Sequence, residues 1–243
     1  MCGRYALYGP ISRKRPLPEE TQNDWLGELI EQVNRRKPRY NFAPTQTSPI
    51  VGVGPNGINV HELRWGLVPF WAKDVKIGYK AINARAETVA EKPMFRAAFK
   101  DRRCLVPARG YFEWKGDKPP KQPYFIHSPD TDLLLFAGLW ETWRPEKDAE
   151  PLYTYTIVTG PPGLVSGDIH DRAPVILPPA LWTTWLTGTA EEAKAILQSM
   201  PEPSLAYYPV SKAVGTPKND ESELVEPIEI ELTKQHPATR TTP

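Results

Sequence analysis

Proline occupies 28 of the 243 positions and is scattered from one end of the chain to the other. Because proline lacks an N–H and fixes φ, this distribution forbids long unbroken helices and predicts many short strands joined by sharp turns. The first helical stretch is "EETQNDWLGELIEQVNRR", where Trp25, Leu26, Leu29, Ile30 and Val33 recur at helical spacing and predict a surface helix packed on the core. The run "TSPIVGVGPNGINVHELRWGLVPFW" then changes to apolar runs and alternation around Asn56-Gly57, a hairpin signal. Gly52, Gly54 and Gly57 also spell G-x-G-x-x-G, but Pro55 and the turn sit where a nucleotide-binding helix would begin, so that motif is rejected.

Further strands are expected at "RRCLVPARGYFEWK", "QPYFIHS", "LLLFAGLWETW" and "LYTYTIVTG", with helices at 91–99, "PALWTTWLT" and "AEEAKAILQSM". The order predicts an α+β fold: a mixed, mostly antiparallel sheet surrounded by helices. One domain over residues 1–230 is expected, followed by a polar, Pro/Thr-rich tail at 231–243. No apolar run approaches the roughly 20 residues of a membrane span, and the N-terminus does not read as a signal peptide. Two cysteines, Cys2 and Cys104, make neither a disulfide framework nor a zinc motif. A cytoplasmic protein without metal or cofactor is the expectation.

Net charge is only +1, but it is unevenly placed. Residues 1–120 hold 21 Lys/Arg against 12 Asp/Glu (+9), and residues 121–243 hold 9 against 17 (−8). Such polarity fits a positive face for a polyanion, or equally two halves that attract each other within one fold.

Four segments place polar groups in otherwise core-like sequence: "MCGRYAL", "INARAET", "GYFEW" and "DIHDRAPVIL". Removal of Met1 would leave Cys2 with a free amine and a thiol on adjacent carbons. Asn83 and Arg85 share one side of an extended segment, being two residues apart. Glu113, between Phe112 and Trp114, would have its pKa raised if it points into a dry pocket. His170, flanked by Asp168, Asp171 and Arg172, can exchange a proton near neutrality. Each also has an ordinary structural reading: an incidental cysteine, a turn asparagine, the solvent side of an alternating strand, a helix-capping histidine. Cys104 reads as core packing.

"MCGRYAL", "RYNFAPTQ", "WGLVPFW", "INARAET", "RCLVPARGYFEW", "FAGLW", "IVTG", "IHDRAPVIL" and "VSKAVG" together resemble, in order and spacing, the SOS response-associated peptidase family of abasic-site processing proteins, from residue 2 to about 227. Ala173 departs from the family pattern, which commonly has methionine there. The resemblance implies a sheet curved into a pseudo-barrel, and a covalent reaction with abasic sites in single-stranded DNA. Mature Cys2 would condense with the ring-opened sugar aldehyde and close a thiazolidine, which shields the lesion from strand cleavage. It further implies that Asn83 positions the Cys2 amine and the sugar, that Glu113 serves the amine and Schiff base, and that His170 serves the sugar ring oxygen. No cofactor is implied.

Arg4, Arg39, Asn41, Arg85 and Arg172 fall in the matching segments as candidate DNA contacts. Trp65, Phe70 and Trp71 are candidate stacking surfaces, with burial favoured for Trp65 and stacking for Trp71. The protein is expected to act as a monomer, nucleoid-associated when on DNA. Two other functions fit the same residues less fully: a thiol peptidase or amidase with an N-terminal nucleophile, able to remove its own Met1, and a non-catalytic single-strand binding module.

Overall fold

The computed structural model describes residues 2–12 and 24–230. Met1, the beginning of the first predicted helix at 19–23 and the predicted tail at 231–243 lie outside the described residues. The strands, in chain order, are β1 (Arg4–Leu7), β2 (Arg39–Phe42), β3 (Thr47–Gly54), β4 (Gly57–Trp65), β5 (Asn83–Arg85), β6 (Arg103–Ala108), β7 (Gly110–Lys115), β8 (Gln122–His127), β9 (Leu134–Trp143), β10 (Leu152–Gly160), β11 (Ala173–Pro174) and β12 (Ala206–Pro209). The α-helices are α1 (Asp24–Arg35), α2 (Arg96–Asp101), α3 (Leu164–Gly167), α4 (Trp182–Thr187) and α5 (Ala190–Ser199). The two longest, α1 and α5, occupy the proline-free stretches 19–37 and 180–200, where nothing interrupts the helical hydrogen-bond ladder.

The strands form two sheets. One runs β12-β8-β7-β1-β2 and is antiparallel throughout. In the other, β10-β4-β3-β6-β9 closes on itself through the β9–β10 pairing, giving a five-stranded barrel to which β5 and β11 add at β10. Only β10–β4 and β10–β5 are parallel. The predicted α+β class and the curvature into a barrel are both present. Tyr5, from the first sheet, joins the two: its ring stacks on Phe42 at 4.9 Å and its hydroxyl meets that of Tyr155 at 2.6 Å. Trp65 is fully buried, as expected, with its indole N–H donated to the Ile82 carbonyl at 2.8 Å.

Three local expectations are corrected. "RRCLVPARGYFEWK" is not continuous: the chain leaves the barrel at Arg109, so β6 and β7 belong to different sheets. There the Arg109 N–H donates to Ala6 and its guanidinium pairs with Asp132 at 3.0 Å. The helix expected at 91–99 begins later, because the residues around Pro93 form successive turns before α2 starts. In "PALWTTWLT" a 3-10 turn at Pro179–Leu181 precedes α4. The hairpin is where the sequence placed it, with Gly54 opposite Gly57, but the turn residues are Pro55 and Asn56; Gly57, at φ 99°, supplies the left-handed step that a side chain would resist.

Ion pairs between the two halves take up part of their charge polarity, through Arg39, Arg102 and Arg109, while Arg172–Glu87 runs the opposite way. Arg39–Asp220, Arg102–Glu141, Arg109–Asp132 and Arg172–Glu87 each join a residue before 120 to one after it. None of the described helices is long and apolar enough to cross a membrane.

Candidate active site

Cys2 immediately precedes β1, and β1 pairs with β7 in the register Arg4↔Phe112 and Tyr5↔Tyr111. Continuing that register by one step sets Gly3 opposite Glu113, which brings the glutamate beside the start of the chain. Pleating gives Tyr111 and Glu113 one face of β7 and Phe112 the other. Both faces are covered, since Phe112 is fully buried against Phe125 and Glu113 is only 3% exposed. Glu113 is therefore not the solvent member of an alternating strand. Burial pushes its carboxyl above the ordinary range, with the positive charge of His170 among the opposing influences.

The side chain of Cys2 is fully enclosed. Burial pushes its thiol well above the usual range, and the nearby charge of Glu113 pushes in the same direction. Asn83 reaches it from the barrel: β5 is held parallel to β10 by Ile157↔Asn83 and Thr159↔Arg85, and the Asn83 amide donates to the Cys2 main-chain carbonyl at 2.8 Å. The two residues are 81 positions apart in the chain. Arg85, on the same side of β5, is exposed.

His170 lies in the turn after α3, its main-chain N–H donated to Ser166 at 3.0 Å. Nδ1 accepts the Arg172 main-chain N–H at 3.1 Å and also lies 2.8 Å from an Asp171 carboxylate oxygen. Asp168 accepts the Tyr207 hydroxyl at 3.2 Å. The structure thus gathers Cys2, Asn83, Glu113 and His170 from the N-terminus, the barrel, the second sheet and a connecting turn.

The remaining candidates separate by exposure and by partner. Arg4 is half-buried, with its guanidinium on the carbonyls of Gly3 (3.0 Å) and Gly215 (3.3 Å); burial lowers its pKa. Arg39 is paired with Asp220 at 2.5 Å, bonded to Gln46 at 2.8 Å and lies over the Phe42 ring. Asn41, expected at a DNA surface, is instead fully buried, its amide bonded to the carbonyls of Val214, Thr216 and Asn219. That amide ties the 214–219 loop to β2 and offers no surface to a phosphate. Arg172 is also engaged, by Glu87 at 2.6 and 2.9 Å and by the Thr159 carbonyl at 2.5 Å. Trp71 (47% exposed) and Phe70 (60%) stand outside the core.

Sequence reasoning passed over three further residues. Tyr79 is 60% exposed, with the Arg64 guanidinium 5.9 Å from its ring centre. Tyr111 is fully buried close to Cys2 and Glu113, and its position two residues before Glu113 on a strand was the available signal. Glu87 left no local sign, because its role is defined by Arg172, 85 positions away. Beside the site, Tyr111, Glu87, Ala173, Val175, Leu197 and Glu202 help to line a cavity of about 470 Å³.

This arrangement provides an N-terminal segment held by an amide, a desolvated carboxyl and an imidazole, which suits covalent chemistry at residue 2 with proton transfer on either side. Comparison with known proteins identifies the family. The family model described as SOS response associated peptidase matches residues 1–217. "Abasic site processing protein YoqW" of Bacillus subtilis is 39% identical over 93% of this chain and 99% of its own length. "Abasic site processing protein HMCES" of Gallus gallus is 31% identical over 98% of this chain and 81% of its own. A crystal structure from Bacteroides thetaiotaomicron, 26% identical, superposes with a TM-score of 0.71 over 86% of this chain and 92% of that one. A full-length match of this kind, together with a site built from the matching segments, makes the chain a member of the SOS response associated peptidase family.

Proposed function

We propose that this protein processes abasic sites in single-stranded DNA by linking itself to them covalently through Cys2 after loss of Met1. The observation that carries the reading is the 2.8 Å hydrogen bond by which Asn83 holds the main chain of Cys2 beside Glu113. Relatives of similar length bear the name abasic site processing protein, which supports the same substrate.

The chemistry follows from the groups present. An abasic sugar exchanges between a closed ring and an open aldehyde; His170 gives a proton to the ring oxygen as its bond to C1 breaks, and the C1 hydroxyl releases its own proton to solvent as it becomes the aldehyde. A free α-amine titrates near about 7.7–8.0, so part of it is neutral at cellular pH and attacks the aldehyde carbon. Glu113, with its raised carboxyl, takes the proton the amine sheds and returns it to the hydroxyl that leaves as water. The imine carbon is then attacked by sulfur; the thiol proton ends on nitrogen, and a five-membered thiazolidine results. With the imine gone, the electron sink that would expel the 3′ phosphate is gone too.

The raised thiol favours this order of events. A protonated sulfur is a poor first nucleophile, so nitrogen attacks first and sulfur closes the ring. The peptidase reading requires the reverse, a thiolate at neutral pH. DNA is held by the exposed Arg85 and by Arg4, with Trp71 and its aromatic neighbours stacking on bases, so affinity falls as salt rises.

Intact-mass measurement after incubation with abasic single-stranded DNA tests the proposal. Wild type should lose Met1 and gain one strand less one water in a heat-stable adduct. Cys2→Ser keeps the amine but cannot close the sulfur ring, and should give an adduct only when the imine is trapped by reduction. No adduct from wild type, or an equally stable one from the serine variant, would sink the reading; turnover of peptide esters would favour the peptidase.

A further inference from the structure

The hydrogen bonds around His170 continue into a residue with no part in the scheme above. The Glu87 carboxylate grips both terminal nitrogens of Arg172, at 2.6 and 2.9 Å, a two-pronged geometry that fixes orientation as well as distance. The same guanidinium donates to the Thr159 carbonyl, which also accepts the Ala86 N–H at 2.9 Å. Arg172 is thereby tied to the segment after β5 through Glu87 and to β10 through Thr159. Its own main-chain N–H donates to His170 Nδ1.

That last bond bears on protonation. One nitrogen cannot serve Arg172 and Asp171 together: bare, Nδ1 accepts the Arg172 N–H; protonated, it donates to the Asp171 carboxylate 2.8 Å away. The bond from Arg172 selects the neutral form whose proton sits on Nε2, whereas a proton on Nδ1 turned to Asp171 leaves Nε2 protonated only in the cation. The turn therefore presents Nε2–H for donation, provided that Arg172 keeps its main chain in place.

We propose that Glu87 is a positioning residue: by clamping Arg172 it fixes the His170 ring and its Nε2–H relative to Cys2. The short segment from Asn83 to Glu87 explains why this residue suits the task. At one end Asn83 holds the Cys2 carbonyl, and at the other Glu87 holds the turn that carries His170, so one stretch of backbone sets the spacing between nucleophile and proton donor. Arg172 accordingly has a structural partner before any phosphate arrives. The inference rests on the proposed function for its kinetic consequence, but its geometry can be tested alone.

The test compares wild type, Glu87→Gln and Glu87→Ala in three measurements. Binding to a strand carrying an unreactive tetrahydrofuran analogue of the lesion should stay within about twofold, or tighten as Arg172 is released to phosphate. Single-turnover adduct formation should slow by about 10–100-fold in Glu87→Ala, with Glu87→Gln in between because it retains one acceptor. The ¹⁵N shifts of the His170 ring nitrogens in the free protein should show the Nε2–H form in wild type and a tautomer mixture in Glu87→Ala. A wild-type adduct rate in Glu87→Ala, or a rate loss matched by lost affinity, overturns the assignment. Absence of any wild-type adduct defeats the proposed function instead; the ring-nitrogen shifts then decide the positioning claim, and unchanged shifts end it.

Discussion

A carboxyl group that is 3% exposed and set between Phe112 and Trp114 is held against its own preference for water, and Glu113 therefore costs stability in order to be useful. Its folded pKa lies above its unfolded one, so the native state binds the proton more tightly. Stability then falls as pH rises from the ordinary carboxylate range through the raised value. Glu113→Gln is expected to remove that fall and to be more stable than wild type at neutral pH, while slowing adduct formation by about 10²–10⁴-fold. Thermal unfolding of both proteins from about pH 4 to about pH 8 checks the first half, and coincident curves would contradict it. Cys2, Asn83, Glu113 and His170 could be singled out in the sequence because each sits in a short segment that carries the family resemblance, not because its own residue type marks it. Asn41 was misleading for the same reason: it lies within "RYNFAPTQ", yet its amide serves three carbonyls of a loop more than 170 positions later. Ala173, where the family pattern commonly carries methionine, is 7% exposed and lines the cavity beside Tyr111, so the smaller side chain leaves space there.

Helices as short as α2 and α4 have nearly as many orphan carbonyls as internal bonds, and something must satisfy them. Arg103 does so for both. Only 4% exposed, it donates to the carbonyls of Phe99 and Lys100 at 2.7 Å, of Trp185 at 2.5 Å and of Gly188, joining the two helix ends to the first residue of β6. Replacement by Met would strand these carbonyls in a dry site, and Arg103→Met is expected to lose at least about 3 kcal/mol. Arg103→Lys should recover only part of this, because an ammonium lacks the planar fork that reaches both helices. Denaturant unfolding measures the loss, and a variant as stable as wild type would rule out this role. Nothing local marks Arg103: "DRRCLVPA" reads equally well with any of its basic residues outside. Apolar periodicity found α1 and α5, where proline is absent and one face is buried. It failed at 91–99 and at Arg109, where turns and a change of sheet decide the boundary.

Closure of the barrel by the β9–β10 pairing brings β6, β9 and β10 so near one another that Gly138 has no room for a side chain. It lies opposite Cys104 on β6 and Ile157 on β10, and a Cβ there would stand 2.8 Å from Val106 Cγ2, 2.9 Å from Cys104 Sγ and 3.0 Å from the Thr156 carbonyl. Gly138→Ala is expected to cost about 1–3 kcal/mol through strain, more than the conformational entropy an alanine would return. A denaturation midpoint at or above that of wild type would show that the strands can move apart. Read as sequence, the +9 and −8 halves suggested either a binding face or mutual attraction. The pairs Arg39–Asp220, Arg102–Glu141 and Arg109–Asp132 show that attraction takes part of that charge, leaving Arg85 among the basic side chains still turned outward. By itself, the amino-acid sequence determined the strand-rich α+β class and the positions of the longest helices, and it singled out four candidate groups, because proline placement, apolar period and side-chain chemistry are local properties. Tertiary structure alone decided which strands close the barrel, that Glu113 is dry, that Asn83 meets Cys2 and that Glu87 grips Arg172, because burial and pairing depend on residues brought together from 81 or 85 positions apart.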